Sequence, residues 1–384
     1  ANTNPSLNII ILERLSRVGK KILATGNGRC NYTNINAGEE NYHGNGKSLI
    51  KSIKNSFWVS QTIEFFRELG MLTKVLENSK AFPYSLQASA VLDVLRFEVL
   101  RLGIEVVTGF EVKAIQKRND KFTITSFDGK IRTADKVILS TGGKASPSLG
   151  SNGSGYDILK ALGHSVNDCF PSLVQVKTDT KYVKALKGIK LDARVQVIGK
   201  EILTESYGEV LFTEYGLSGP AIFNISRVCA EKKDVKIVLD LLSEISFYEL
   251  EELLKSRKSD TRILENYFVG MLNKKLGIEI LKYADVLPLS RSSDTLSDKE
   301  IKRIAKAVKE FTLNCKGTLS WNNAQVTAGG ISATEVDDKT LQSKIVDGLY
   351  ITGEVLDIDG DCGGYNLQWA WSSGYVAGKS AGLG

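Results

Sequence analysis

Three apolar runs, far apart in the chain, each end in residues suited to the ligand end of a parallel sheet. Asn8 to Glu13 reads NIIILE, Val137 to Gly143 reads VILSTGG, and Gly348 to Glu354 reads GLYITGE. Continuous apolar runs of this length suit strands buried on both faces, the habit of parallel sheets. In such sheets ligands bind beyond the carboxyl ends of the strands. An acid or a glycine turn stands at each of those ends here. The fold class expected is therefore α/β.

The stretches between the runs agree. Ser60 to Leu69 and Ala88 to Leu102 read as helices, closed by Gly70 and Gly103. Ile104 to Val107 reads as a short strand. Val112 to Gln116 and Phe122 to Ser126 alternate around Asn119-Asp120, which predicts a hairpin. Near Phe170 the texture changes to short β-rich segments, LVQVKT, ARVQVI, VLFT and VKIVLDL, the mark of a small barrel or sandwich. Two capping boxes follow, Ser246 with Glu249 and Ser297 with Glu300. After the second, Ile301, Ile304, Ala305 and Val308 share one helical face. Lys299, Lys302, Arg303, Lys306 and Lys309 are read as its solvated side. At Gln325 the α/β texture returns, and Tyr365 to Ala381 reads as a helix. The expected divisions are 1–169 for the first part of the α/β domain and 170–243 for a β insert. A helical insert over 244–310, a return through the β insert over 311–324 and the second α/β part over 325–384 complete them.

Composition narrows the function classes. The 384 residues are 42% hydrophobic and 24% charged, as in ordinary globular chains. No apolar run approaches the roughly 18 residues of a membrane span, and Ala1 to Asn8 lacks the charged start of a signal peptide, so the expected location is cytoplasmic. The net charge of +6 is small for this length and its Lys and Arg are scattered, so no nucleic-acid partner is expected. Five cysteines, Cys30, Cys169, Cys229, Cys315 and Cys362, include no C-x-x-C, which argues against a dithiol or zinc centre. The two histidines, His43 and His164, have no second ligand at metal spacing. No G-x-S-x-G supports a hydrolase.

Two glycine clusters are decoys. Gly44-Asn45-Gly46-Lys47-Ser48 ends like a phosphate loop, but Asn41 stands where its first glycine belongs. Gly150 to Gly155 has the wrong order for G-x-G-x-x-G and reads as a mobile loop entering a helix.

At the strand ends the chemistry is more pointed. An acid closing the second strand of a dinucleotide fold accepts hydrogen bonds from the adenosine ribose, and Glu13 fits that place. Thr141-Gly142 can pass backbone under a pyrophosphate or adenine. After Gly353 an acid-rich loop leads to Gly363-Gly364, which open the last helix. A helix start carries partial positive charge and free N–H groups, suited to a flavin edge that gains negative charge on reduction.

Five strings carry a family resemblance: RVGKKILATGNGRCN, STGGKASPSLGSNGSGYDILKALGH, GLSGPAIFNIS, QVTAGGIS and GEVLDIDGDCGGYNLQWAWSSGYVAG. They resemble the BaiN/RdsA-type NAD(P)/FAD-dependent oxidoreductases, also described as aminoacetone-oxidase-like FAD-binding enzymes. The resemblance implies a Rossmann-like FAD domain interrupted by a β-barrel and a small helical domain. Such proteins start with a strand, a G-x-G-x-x-G loop and a helix. By that resemblance the sequence as given is expected to open at the end of that helix, at ANTNPSLN, with about 20 to 25 residues of the unit outside it.

Carried over by position, the resemblance puts Glu13, Arg14, Gly19, Lys20, Asn27, Arg29 and Cys30 on FAD, with Val112 at the adenine. Thr141 and Gly142 follow; Gly353, Glu354 and Asp357 meet the ribityl chain, and Gly364, Tyr365 and Asn366 the isoalloxazine. Asn31, Tyr365 and Asn366 are the catalytic candidates. Cys30 is read as packing. FAD is expected to be non-covalent, since no His or Cys attachment motif is seen. NAD(P)H would serve as a transient donor, since the sequence holds no second complete nucleotide fingerprint. The expected activity is reduction of a small organic substrate. The alternatives are an oxygen-using amine oxidase and a flavoprotein that acts on RNA or as a redox partner. The sequence does not specify an oligomeric state.

Overall fold

The computed structural model describes residues 1–76 and 79–383. They form two compact units, Ala1–Phe170 with Gln325–Gly384, and Pro171–Ala324.

In the first unit two parallel pairs of strands carry the three apolar runs. Ile10–Glu13 pairs with Glu105–Thr108, setting Glu13 opposite Thr108. Val137–Leu139 pairs with Leu349–Ile351. The sequence predicted strands buried on both faces. Instead no residue of Ile10–Glu13 is fully buried, and Ile138 is 43% exposed. Among the described residues Ile10–Glu13 and Val137–Leu139 each bond to a neighbour on one edge only.

Local signals are obeyed closely. The hairpin of Val112–Arg118 and Lys121–Ser126 turns at Asn119 (φ 47°) and Asp120 (φ 60°). Positive φ at both turn positions matches the right-handed twist of the strands. The helices Val59–Glu68 and Ala88–Arg101 close on Gly70 and Gly103 as expected. The last helix, Tyr365–Leu383, is keyed by Gln368, whose amide is wholly buried. Its Oε1 accepts from Thr33 Oγ1 at 2.5 Å, and its Nε2 donates to Thr62 Oγ1 (2.9 Å) and Ser372 Oγ (2.8 Å). Each half of the amide thus has a partner, the condition for burying it.

The second unit is built on a closed six-stranded barrel. Its strands run Val176–Thr178, Gly216–Ser218, Ile202–Phe212, Lys190–Ile198, Lys236–Asp240 and Phe311–Thr318, the last pairing back to the first. The helix Pro220–Glu231 packs on it through Ala221, Ile222, Ile225 and Cys229. Both predicted capping boxes form, at Ser246 and Ser297.

The face Ile301, Ile304, Ala305 and Val308 is buried as the spacing predicted. Lys309 departs from the solvated side. It donates to Leu242 O (3.0 Å) and Ile245 O (2.6 Å) and pairs with Asp240 at 2.7 Å. A lysine at a helix end can cap backbone carbonyls, and here tertiary packing supplies them.

The second box gives a measurable expectation. Glu300 Oε2 accepts from Ser297 N at 2.9 Å, and Glu300 also pairs with Arg291. Burial works to raise the Glu300 carboxyl, but the Ser297 amide, Arg291 and the Ser297 hydroxyl outweigh it and hold the group at about 2. Ser297→Ala is expected to cost about 0.5 to 2 kcal/mol in urea unfolding. A depressed carboxyl adds stability above its unfolded pKa, so the contribution is complete above the ordinary 4.5 and fades as pH falls toward about 2. An unfolding midpoint unchanged by the substitution would show that the cap is idle.

Candidate functional site

The chain leaves the strand Ile10–Glu13 through a turn that Glu13 itself stabilises, its Oε1 accepting from Leu15 N at 2.8 Å. Next comes Gly19 in the left-handed region (φ 73°), opening the short helix Lys20–Ala24. A tight turn, Thr25–Gly28, follows with Gly26 and Asn27 both left-handed. Asn27, Gly28 and Arg29 are exposed, and Arg29 lies 5.1 Å from the Phe82 ring centre. Cys30 is fully buried; burial pushes its thiol up to about 11 despite the Thr25 hydroxyl. It packs in a cluster with Tyr32, Phe66 and Ala81 and is held protonated at neutral pH.

Three cations from this segment converge on one loop. Arg14 Nη1 donates to Gly150 O (2.9 Å), Lys20 Nζ to Ser148 O (3.1 Å) and Lys21 Nζ to Ala145 O (3.3 Å). Arg14 also lies 3.4 Å from Glu111, next to Val112, which heads the hairpin and is half-buried. The Gly150–Gly155 stretch, read from sequence as mobile, is therefore clamped at its start. Lys21 was missed, although it neighbours Lys20 in the same string. It pairs with Glu354 at 3.2 Å and so ties the first string to the last.

The acids after Gly353 are held from within the unit. Glu354 Oε1 accepts from Thr327 N (2.8 Å), and Oε2 faces Lys21. Asp357 is 6% exposed; its Oδ2 accepts from Asn167 Nδ2 at 2.8 Å, while Oδ1 is buried without a partner. A Cβ on Gly44 would come within 2.6 Å of that Oδ1. The phosphate-loop decoy thus has a packing origin: Gly44 lets the strand Tyr42–Gly44 cross Asp357 and pair with Ile358–Gly360.

The catalytic candidates are brought near one another, but two of their side chains do structural work. Asn31 Nδ2 donates to Thr33 O (2.8 Å) and Ala81 O (3.0 Å). Asn366 grips Gly360 at both ends, accepting from its N (2.8 Å) and donating to its O (2.7 Å). Tyr365 keeps a half-buried phenol, raised by burial and then by Asp361. At Gly364 (φ 97°) a Cβ would lie 2.6 Å from Thr33 O and 3.0 Å from Asn31 Nδ2. The last string therefore meets the end of the first at the Asn31 side chain and the backbone just beyond it at Thr33.

One arrangement imitates a hydrolase. Ser343 Oγ lies 2.9 Å from His164 Nε2, and His164 Nδ1 lies 3.0 Å from Glu335. Ser343 is 5% exposed, and its Oγ accepts from Ile345 N (3.0 Å) and Val346 N (2.8 Å). A nucleophile must be reachable and have its lone pairs available. This serine has neither property, so the relay is a buried clasp.

The residues fit a dinucleotide cofactor. A Cβ on Gly28 or on Gly353 would meet no atom within 4 Å, so backbone lies open at the turn and at the end of Leu349–Ile351. Glu13 is an acid of the type that would suit ribose hydroxyls, and Arg14, Lys20 and Lys21 are cations of the type that would suit phosphates. Thr141 is exposed at the end of Val137–Leu139, and Gly142 is left-handed beside it (φ 71°). Among the described residues no His, Cys, Asp or Glu cluster could hold a metal, and no helix is long and apolar enough to cross a membrane.

A parallel-stranded α/β unit with glycine turns at its strand ends, interrupted in sequence by a six-stranded barrel, defines a Rossmann-type protein. The chain belongs to the HI0933-like protein Rossmann domain family, whose model it matches over residues 1–380. It is 38% identical to the 3-dehydro-bile acid delta(4,6)-reductase of Clostridium scindens, over 99% of this chain and 94% of that protein. It is 29% identical to the ribosomal RNA dihydrouridine synthase of Haemophilus influenzae, over 97% of this chain and 92% of that protein. Among solved structures, a quinol fumarate reductase from E. coli shares the fold at TM-score 0.50 and 14% identity, covering all of this chain and 66% of that one. The BaiN/RdsA resemblance is thereby confirmed, and the chain is an FAD-dependent oxidoreductase.

Proposed function

We propose that this chain is an NAD(P)H-consuming reductase of an activated carbon–carbon double bond in a small organic substrate, with FAD held non-covalently. One observation carries the reading: the salt bridge and close contacts that gather RVGKK, STGG and GEVLDIDGDCGGYN into one unit, in a chain similar to a delta(4,6)-reductase over nearly its whole length. Bound FAD supplies the redox chemistry. The chain's own residues bind and orient it. Glu13 would take the ribose, with Arg14, Gly19, Lys20, Asn27 and Arg29 around the phosphates. Val112, Thr141 and Gly142 would line the adenosine side. Gly353, Glu354 and Asp357 would stand along the ribityl chain, the two acids chiefly through backbone they hold in place. Gly364 and the backbone of Tyr365 and Asn366 would face the ring.

Anaerobic mixing of the FAD-loaded protein with NADPH tests the activity. Rapid loss of flavin colour is expected. Colour that persists with NADPH and NADH, yet bleaches with an amine, would replace this reading with the amine oxidase. The similarity to ribosomal RNA dihydrouridine synthases supports a second reading, in which the reduced base belongs to RNA. It requires RNA affinity that falls steeply with salt.

Glu13→Ala is expected to weaken FAD binding about 10- to 150-fold, from charge-assisted hydrogen bonds worth roughly 1.5 to 3 kcal/mol. FMN lacks the adenosine half, so its binding, measured by the same fluorescence titration, is expected to stay put. Equal weakening of both would remove Glu13 from the ribose.

A further inference from the structure

A three-stranded sheet of Thr33–Asn34, Lys80–Pro83 and Thr73–Val75 meets the start of the last helix. Lys80–Pro83 runs antiparallel to Thr33–Asn34 and sets Lys80 directly opposite Asn34. Opposed residues of an antiparallel pair put their side chains on the same face. Here both side chains reach Gly363. Asn34 is 2% exposed, and its Nδ2 donates to Gly363 O at 3.1 Å. A Cβ on Gly363 would lie 3.6 Å from Asn34 Nδ2 and 3.7 Å from Lys80 Cε. Gly363 and Gly364 lead straight into Tyr365–Leu383, whose first N–H groups have no acceptor within the helix.

Lys80 differs from the other cations of this unit's strand ends. Arg14, Lys20 and Lys21 are spent on carbonyls of one loop. Lys80 is half-buried, and among the described residues its ammonium has no hydrogen bond or ion pair. Asp361, two residues before Gly363, is already engaged. Its Oδ1 lies 2.8 Å from His43 Nε2, and its Oδ2 accepts from Asn41 Nδ2 at 3.3 Å. Cys362, between Asp361 and Gly363, registers the ammonium: burial pushes its thiol up, and Lys80 works against that rise. The register with Asn34 thus fixes the lysine stem beside the helix start and leaves the charge unneutralised there.

We propose that Lys80 raises the reduction potential of the flavin, its ammonium joining the N–H groups of the helix start in holding the negative charge that the ring edge acquires. The inference rests on the proposed seating of the ring at Gly364, Tyr365 and Asn366. Hydride from NAD(P)H brings the ring two electrons and one proton, and the donor leaves as its oxidised form. A neutral ring thereby becomes an anion. A fixed cation beside the charged edge favours that product over the oxidised ring, and it costs no reorganisation at the moment of transfer. Lys80 exchanges no proton in this role and needs no contact with substrate.

The FAD-loaded protein is titrated against a reference dye, without substrate, as wild type, Lys80→Met, Lys80→Arg and Lys74→Met. Lys74 is the control: it lies in Thr73–Val75, on the far side of Lys80–Pro83, with its ammonium 5.7 Å from the Tyr84 ring centre. In Lys80→Met the ratio of reduced to oxidised flavin at a fixed dye potential is expected to fall about tenfold, a downward shift of about 30 mV for a two-electron couple. Lys80→Arg is expected to recover most of the shift, and Lys74→Met to match wild type. A lysine that only packed its stem, or only held substrate, would leave this potential unmoved. Lys80→Met at the wild-type potential overturns the proposal, and so does an equal drop in Lys74→Met. Gly364→Ala then shows which idea has failed. If it shifts the potential and Lys80→Met does not, the ring sits at the helix start and Lys80 is idle. If neither shifts it, the seating is wrong and the proposal falls with it.

Discussion

Gly364→Val is expected to cost about 2 to 5 kcal/mol of unfolding free energy and to leave a chain that does not retain FAD. Two terms add. A side chain held in the left-handed region costs about 1 to 2 kcal/mol, and Gly364 sits at φ 97°. Forcing atoms into a filled space costs about 1 to 3 kcal/mol more, and the first atom met is Thr33 O at 2.6 Å, part of the backbone. Backbone cannot swing aside as a lysine tip would. Displacing it also disturbs the bond from Thr33 Oγ1 to Gln368, so the damage spreads to the helix Tyr365–Leu383. Urea midpoints of wild type, Gly364→Ala and Gly364→Val measure the effect. FAD content of whatever folds then separates two roles. A destabilised variant that still holds FAD at an unchanged reduction potential would limit Gly364 to packing against Thr33.

The clasp of Ser343, His164 and Glu335 carries the second large effect. His164→Ala is expected to remove about 2 to 5 kcal/mol, because it opens a cavity and strips a partner from a buried hydroxyl. Glu335 adds a pH signature. Burial works to raise its carboxyl, but the Ser165 and His164 hydrogen bonds outweigh burial and lower it. A lowered carboxyl contributes stability above its unfolded pKa, so the wild-type advantage over Glu335→Gln is expected to hold at neutral pH. It should shrink as pH falls below the ordinary 4.5. Urea midpoints of both chains across that range are the measurement. A His164→Ala chain as stable as wild type would mean that the clasp holds nothing.

What could be read from the sequence was local or family-specific. Asn119-Asp120, the two capping boxes and the closing glycines each act over a few residues, so their geometry is written where they stand. The three glycine-rich strings were legible because strand ends that meet a dinucleotide need small residues and an acid. The rest depends on which distant segments meet. Lys309 looked like one more surface lysine until the Leu242 and Ile245 carbonyls arrived from another element. Gly44 looked like part of a phosphate loop because nothing nearby in sequence announces Asp357. The partners of Glu354 and of Asp357 Oδ2, which are Lys21, Thr327 and Asn167, lie far away along the chain.

The closed barrel bears on how the second unit fails when stressed. A barrel closed on itself offers no free row of amides and carbonyls to another molecule. Each of its six strands has a bonded neighbour on both edges, so the barrel would have to open before a neighbouring molecule could add a strand to it.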